Sequence, residues 1–110
     1  MTDWIAEEAL DAVQKTGEVF ALNVRIGKPA QISAHEWTCS VSLQGLYGEL
    51  HDVHGTTSLQ ALCLTASLAR RLLSHFVQDG GQLRHRGTNE PFDIGASFGN
   101  VGGDLPTAQE

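Results

Sequence analysis

The chain has 110 residues, with 13 acidic side chains against 7 Lys and Arg, which gives a formal net charge of −6. This excess of carboxylates argues against nucleic acid as the main partner, because phosphate binding depends on clustered Lys and Arg. No apolar run reaches the ~18 residues that cross a bilayer, and the first residues lack the pattern of a signal peptide. Two cysteines make no disulfide framework. We therefore expect a cytoplasmic protein of one domain that binds neither nucleic acid nor a membrane.

The first part of the chain has the period-two alternation of β-strands. Residues 5–13 fit a helix by propensity, and they also fit a strand that turns at residues 16–17. Residues 19–26 alternate apolar side chains with others, and the Gly-Lys-Pro of residues 27–29 ends the pattern. These segments predict strands at the start of the domain, with the type of the first one left open.

The clearest alternation lies in "EWTCSVSLQG", residues 36–45. Its two faces are an apolar one, Trp37, Cys39, Val41 and Leu43, and a small polar one, Thr38, Ser40, Ser42 and Gln44. Such a pattern is typical of a half-buried strand. The segment "LYGELHDVHG", residues 46–55, alternates more weakly, and we expect it to pair with this strand around Gly45.

From residue 59 to residue 77 the apolar spacing becomes helical. Thr56, Thr57 or Ser58 is a suitable N-cap, and the pair Gly80-Gly81 ends the helix. The apolar arc is so wide that the helix must lie flat on a sheet or be covered on two sides.

These elements predict an α+β fold. A three- to four-stranded antiparallel sheet, a meander, packs on one long α-helix, and "QLRHRG" adds a short strand after it. Glycine becomes frequent from Asn89 onward. We expect a single α+β domain over residues 1–96 and a flexible Gly-rich C-terminal tail over residues 97–110.

The combination of "VRIGKP", "EWTCSVSLQG" and, after a glycine, "SLQALCLTASLARRLL" resembles a small bacterial family of uncharacterised domains (a domain of unknown function). The pattern spans residues 19–73, and it is most specific where Trp37-x-Cys39 is combined with the "LQAL" of residues 59–62. The resemblance implies an extended segment ahead of "VRIG", which favours the strand for residues 5–13. It implies no activity.

The segment "GASFG", residues 95–99, matches the G-x-S-x-G pattern of the nucleophile elbow in serine hydrolases. That elbow needs a buried strand before the serine and a helix directly after it. The segment before Ser97 is short and contains Pro91, the one after it is rich in glycine, and no histidine follows it. We therefore interpret the motif as part of a terminal loop without a catalytic role.

Three histidines form the strongest alternative candidate for chemistry. His51 and His54 flank Asp52, and His35 precedes them by about 15 residues. Imidazole and carboxylate groups bind zinc and other divalent metals. On a regular strand His51 and His54 point to opposite faces, so a shared metal needs a bend. The metal hypothesis is that His35, His51, Asp52 and His54 converge if the second and third strands form a hairpin.

The two cysteines are expected to be structural. Cys39 shares the apolar face of its strand, and Cys63 lies in the apolar stripe of the helix. Buried thiols behave as small hydrophobic groups, so we expect both to be buried and to react slowly.

No coherent catalytic set emerges, and this favours a small non-catalytic protein-binding module, immunity- or adaptor-like, that covers a basic partner through its sheet face. The expected contact residues are Thr38, Ser40, Ser42, Gln44 and Tyr47. We expect no cofactor. The partner is a protein or a second copy of the chain, because one helix leaves two sheet edges open.

Two alternatives to the binding module stay open. One is a metal-dependent enzyme or metal-binding protein that uses the histidines. The other is a ligand-binding module with a cavity between helix and sheet, against which the large side chains along the helix predict a filled core.

Overall fold

A computed structural model describes residues 3–99 of the chain. In chain order its elements are β1 (Trp4–Val13), β2 (Val19–Gly27), β3 (Ala30–Ser33), β4 (Glu36–Cys39), β5 (Val41–Gln44), β6 (Val53–Gly55), α1 (Ser58–Gln78), β7 (Gln82–His85) and α2 (Ile94–Phe98). The predicted α+β class is confirmed. The strands form two antiparallel sheets, one of order β5-β2-β1-β7 and one of order β3-β4-β6.

Residues 5–13 form a strand, as the family resemblance implied. Leu10 and Ala12 of β1 are fully buried, and Leu10 lies opposite the buried Leu22 of β2. The hairpin closes at the predicted position, where Gly17 N donates to Gln14 O at 2.7 Å. The helix propensity of this segment does not determine its structure, because burial of alternate residues fits only a strand.

A second hairpin passes from one sheet to the other, with β2 and β3 as one arm and β4 and β5 as the other. β2 continues into β3 through Lys28 and Pro29, and β4 continues into β5 through Ser40. Gly27 N still donates to Ser40 O at 2.8 Å across the bend. The predicted strand 36–44 is therefore divided at Ser40, yet its alternation continues, with Cys39, Val41 and Leu43 all buried.

The predicted pairing of residues 46–55 with the preceding strand is confirmed only at the end of the segment. Val53–Gly55 forms β6, which pairs antiparallel with β4, whereas the residues before it belong to a loop and β6 does not pair with β5. Gly45 explains the turn away from β5: its φ is +108°, and a Cβ at this position would overlap the carbonyl oxygen of Ala21. Only glycine tolerates both conditions.

Helix α1 starts and ends as predicted. Thr57 is the N-cap, and its side chain accepts a hydrogen bond from Gln60 N at 3.0 Å. The Gln60 side chain accepts in return from Thr56 N at 2.6 Å, a variant of the capping box. Asp79 is the C-cap, and Gly80 follows it with a φ of +103°.

The apolar arc of α1 is only partly used. Its fully buried residues are Ala61, Thr65, Ala69 and Leu73. Leu59 is 68% exposed and Cys63 is also exposed. The predicted burial of Cys63 is therefore wrong. The helix packs on the sheets along one line of residues four apart, and Cys63, two residues from Ala61, lies nearly opposite that line on the exposed side of the helix.

The core lies between α1 and the inner face of the larger sheet. Its residues include Leu10, Leu22 and Leu43 from the sheet, Leu73 from α1 and Phe92 from the segment before α2. Each fully buried leucine contributes about 1.5–3 kcal/mol relative to an exposed one. The single buried polar side chain in the described part of the chain, Thr65, donates to Ala61 O at 2.7 Å.

The segment after β7 differs from the predicted loop. Residues 82–85 form the expected short strand, and Phe92 N donates to Leu83 O at 2.9 Å along its outer edge. Ser97 and Phe98, placed at the start of the predicted tail, belong to α2, and Phe98 packs against the core. Gly99 is the C-cap of α2, and residues 100–110 of that tail lie outside the described residues.

Candidate functional site

The candidate surface is the outer face, defined as the faces of both sheets that are turned away from α1. Thr38 lies opposite His54 on it, Ser42 lies opposite Arg25, and Gln44 lies opposite Asn23. Ser40 joins them at the bend between the sheets. The four polar residues singled out in the sequence thus share one face, since their apolar neighbours point into the core.

A polar groove crosses the outer face at this bend. It has a volume of about 460 Å³, and its polar side chains come from Asp3, Lys28, Thr38, Ser40 and Asp52. Ser40 Oγ donates to Asp52 Oδ1 at 3.1 Å, which ties the loop before β6 to the bend. Lys28 N donates to Asp3 O at 2.8 Å on the opposite side. The groove therefore offers both charge signs beside two hydroxyl groups.

Ion pairs cover the outer face of the larger sheet. Arg25 Nε lies 2.7 Å from Glu7 Oε2, and its guanidinium carbon is 5.8 Å from the centre of the Trp4 ring. Trp4 reaches this side because the register shifts between Trp4 and Ala6. A cation over a tryptophan face is attracted to the ring, so this arginine is held in place from two directions.

Arg86 is the residue on this face that sequence reasoning missed. Its guanidinium donates to Leu10 O at 3.0–3.1 Å, to Leu22 O at 3.1 Å and to Asn23 Oδ1 at 3.0 Å. Asp11 accepts from Gly87 N at 2.9 Å and lies 3.5 Å from Arg86 Nε. No local sequence pattern indicates that the side chain of Arg86 contacts two strands that lie 63–76 positions earlier in the chain.

The structure separates the histidines of the metal hypothesis. His35 lies in the exposed turn between β3 and β4, His51 is exposed in the loop, and His54 Nδ1 lies 2.8 Å from Glu36 Oε2 on the outer face. Asp52 is bonded to Ser40 instead. Over residues 3–99, no group of three or more His, Cys, Asp or Glu side chains is placed to hold a metal ion.

The remaining predicted residues are also located. Tyr47 is 38% exposed in the loop after β5, where it bridges to Gln44. Cys39 is buried as predicted, and its Sγ donates to Gly27 O at 3.2 Å. Ser97 is exposed on α2, whose N-cap is Asp93. Because Ser97 lies inside a short helix rather than at a strand-to-helix turn, the context of a nucleophile elbow is not met.

Comparisons of the chain with protein-family models, curated proteins and solved structures find no match. Within the part of the chain that the structure describes, no helix is long and apolar enough to span a membrane.

Proposed function

We propose that the chain is a small, non-catalytic, cytoplasmic protein-binding module, immunity- or adaptor-like, whose outer face covers a basic protein partner. One observation carries this proposal. Both helices pack on the core at the inner side of the sheets, through residues that include Leu73 and Phe98, and the four small polar residues predicted to face a partner lie on the outer face. The formal net charge of −6 favours a basic partner by long-range attraction.

The residue composition of the outer face suits a protein partner better than a small-molecule ligand. Ala9 and Ala21 are small and exposed near its centre, and the ion pair of Glu7 with Arg25 lies beside them. Protein interfaces of the non-obligate kind are about as polar as the rest of a surface, and they include charged groups at the rim. The outer face gives a partner a contact surface, and the polar groove at the bend can fix the partner's position on it.

The experiment places a photo-reactive amino acid at position 42, cross-links in a lysate and identifies the captured protein. Binding of the purified partner is then measured for Ser42→Arg and for Ser67→Arg. Both variants add the same side chain at a serine, one on the outer face and one on the exposed side of α1. We expect Ser42→Arg to weaken binding about tenfold or more, because a buried like charge costs over 1 kcal/mol. Ser67→Arg should leave the affinity unchanged.

Two results contradict the proposal. One is weaker binding in Ser67→Arg with full affinity in Ser42→Arg, which moves the interface to α1. The other is the absence of any cross-link at position 42 that competes with added unlabelled protein.

A second copy of the chain is the alternative partner for the same face. β5 pairs only with β2 within its sheet, so one edge of the larger sheet ends beside Ser42 and Gln44. Exposed edges favour pairing with another chain. Sedimentation equilibrium distinguishes the two partners: a homodimer through this face dissociates in Ser42→Arg and persists in Ser67→Arg.

A further inference from the structure

The inner face of the larger sheet is not covered along its whole length. Helix α1 contacts both sheets, most extensively β4 and β6 of the smaller one, and α2 lies beside it near the start of β1 and the end of β2. A groove of about 320 Å³ remains there, between Ala6, Val24 and Ile26 of the sheet, Ala66 of α1, and the rings of Phe92 and Phe98. This volume lies at the lower end of ligand pockets, which span about 300–1,000 Å³.

The groove is apolar inside and acidic at its border. Glu8 lies on the same side of β1 as Leu10, and its side chain is 44% exposed. Glu7 also borders the groove, although its carboxylate pairs with Arg25 on the outer face. Among the described residues that line the groove, none is Lys or Arg. A bound group therefore meets the half-exposed carboxylate of Glu8 and no Lys or Arg side chain.

Two contacts of His85 lie beside the groove. The His85 ring packs edge-on against Phe92 at 5.5 Å between centroids, and His85 Nδ1 lies 3.6 Å from Glu8 Oε2. These contacts hold Glu8 and Phe92 on the same side of the groove. Aromatic faces attract cations, and a carboxylate beside them strengthens that attraction.

We propose that this groove binds a basic amphipathic peptide segment of a protein partner. An aliphatic or aromatic side chain of the peptide fills the space over Ala6, Val24 and Ala66, and an adjacent Lys or Arg pairs with Glu8. The groove lies on the opposite side of the sheet from the outer face, so this inference does not rest on the proposed function. Ser97 is exposed at its border, which places the G-x-S-x-G segment at a binding surface.

The test is an NMR titration of the full chain, labelled with nitrogen-15, with two peptide probes. The probes are acetyl-LKFKL-amide and acetyl-LEFEL-amide, which have the same apolar side chains and opposite charges. We expect the basic probe to shift the amide signals of Ala6, Glu8, Ala66 and Phe98. The acidic probe at the same concentration should produce less than about a tenth of the shift, since it faces Glu8 with a like charge.

Three variants locate the binding charge. Glu8→Gln should weaken the basic probe about three- to fivefold, the loss of one partly exposed ion pair. Glu49→Gln removes the same charge in the loop between β5 and β6 and should change little. Ser97→Lys places a positive charge at the exposed border without touching the core, and it should weaken the basic probe further and strengthen the acidic one.

Several outcomes overturn the inference. Equal shifts from both probes, equal weakening by Glu8→Gln and Glu49→Gln, or shifts confined to the outer face each exclude recognition of a basic segment in this groove. Groove signals that move with protein concentration alone assign the groove to a second copy of the chain, which also overturns it.

Discussion

The contact between β6 and α1 gives the sharpest test of the packing. Gly55 lies so close to the first turn of α1 that a Cβ there would stand 2.6 Å from Ala61 N and 2.9 Å from Ala61 Cα. Both partners are backbone atoms of a capped helix, so no side chain can rotate away. The substitution Gly55→Ala therefore acts on the distance between the helix and the smaller sheet.

The magnitude follows from this geometry. An ordinary contact begins at 3.4 Å, so the start of α1 must retreat by about 0.8 Å. Ala61 is fully buried, and the retreat disturbs its packing. Inserting a methyl group into such a site costs about 1–3 kcal/mol. Each kcal/mol lowers the Tm of a domain of this size by about 4–8 °C.

The assay is urea unfolding followed by tryptophan fluorescence, with Gly48→Ala as the matched control. A Cβ at Gly48 meets nothing within 4 Å, and its φ lies outside the left-handed region. The control should leave stability unchanged or raise it by about 0.4–1 kcal/mol through the unfolded state. If Gly55→Ala is as stable as Gly48→Ala, the close approach of α1 to β6 is refuted.

Three other substitutions or reactions probe separate features. Arg86→Ala should lower the free energy of unfolding by about 1–3 kcal/mol, because Leu10 O, Leu22 O and Asn23 lose charged donors. Arg86→Lys should recover only part of this stability, because lysine lacks the forked guanidinium. Full recovery in Arg86→Lys would show that the charge alone matters. Thr65→Val should change stability by less than about 1 kcal/mol, since the variant keeps the shape and leaves no buried donor without a partner; a larger loss in urea unfolding would contradict this. A thiol reagent should modify Cys63 rapidly and Cys39 only on unfolding, as measured by mass spectrometry over time, and rapid double labelling would mean that Cys39 is open to solvent.

The sequence predicts the elements whose pattern comes from burial. The alternation in residues 36–44 places Cys39, Val41 and Leu43 inside, and the helix from residue 58 to residue 78 follows its cap and its glycines. These features are local, because each is determined by which face of one element is buried.

Features that depend on distant contacts could not be predicted in this way. The second sheet arises because the hairpin of β2–β3 with β4–β5 bends at Ser40. Residues 36–44 alternate apolar and polar side chains without interruption, so the sequence does not indicate the bend. The exposure of Cys63 depends on where α1 crosses the sheets. The contacts of Arg86 depend on two strands far away in the chain.

The candidate surface shows the same division. The polar side of residues 38–44 was predicted as one face, and it is one. The groove beneath α2 was not predicted, because its walls come from β1, β2, α1 and α2. The large side chains of α1, which favoured a filled core, pack into the core near Leu73 and Phe76, away from the groove.

The passage of two strands through both sheets has a consequence for how the domain opens. The chain runs without a break from β2 into β3 and from β4 into β5. Loss of hydrogen bonds in one sheet therefore disturbs the other sheet as well. Backbone amides of β2 and β4 should then exchange with deuterated solvent at similar rates, as members of one cooperative unit, whereas a domain of two separately hinged sheets would show two distinct rates. Because the chain is continuous through the bend at Ser40, we expect the two sheets to unfold as one cooperative unit.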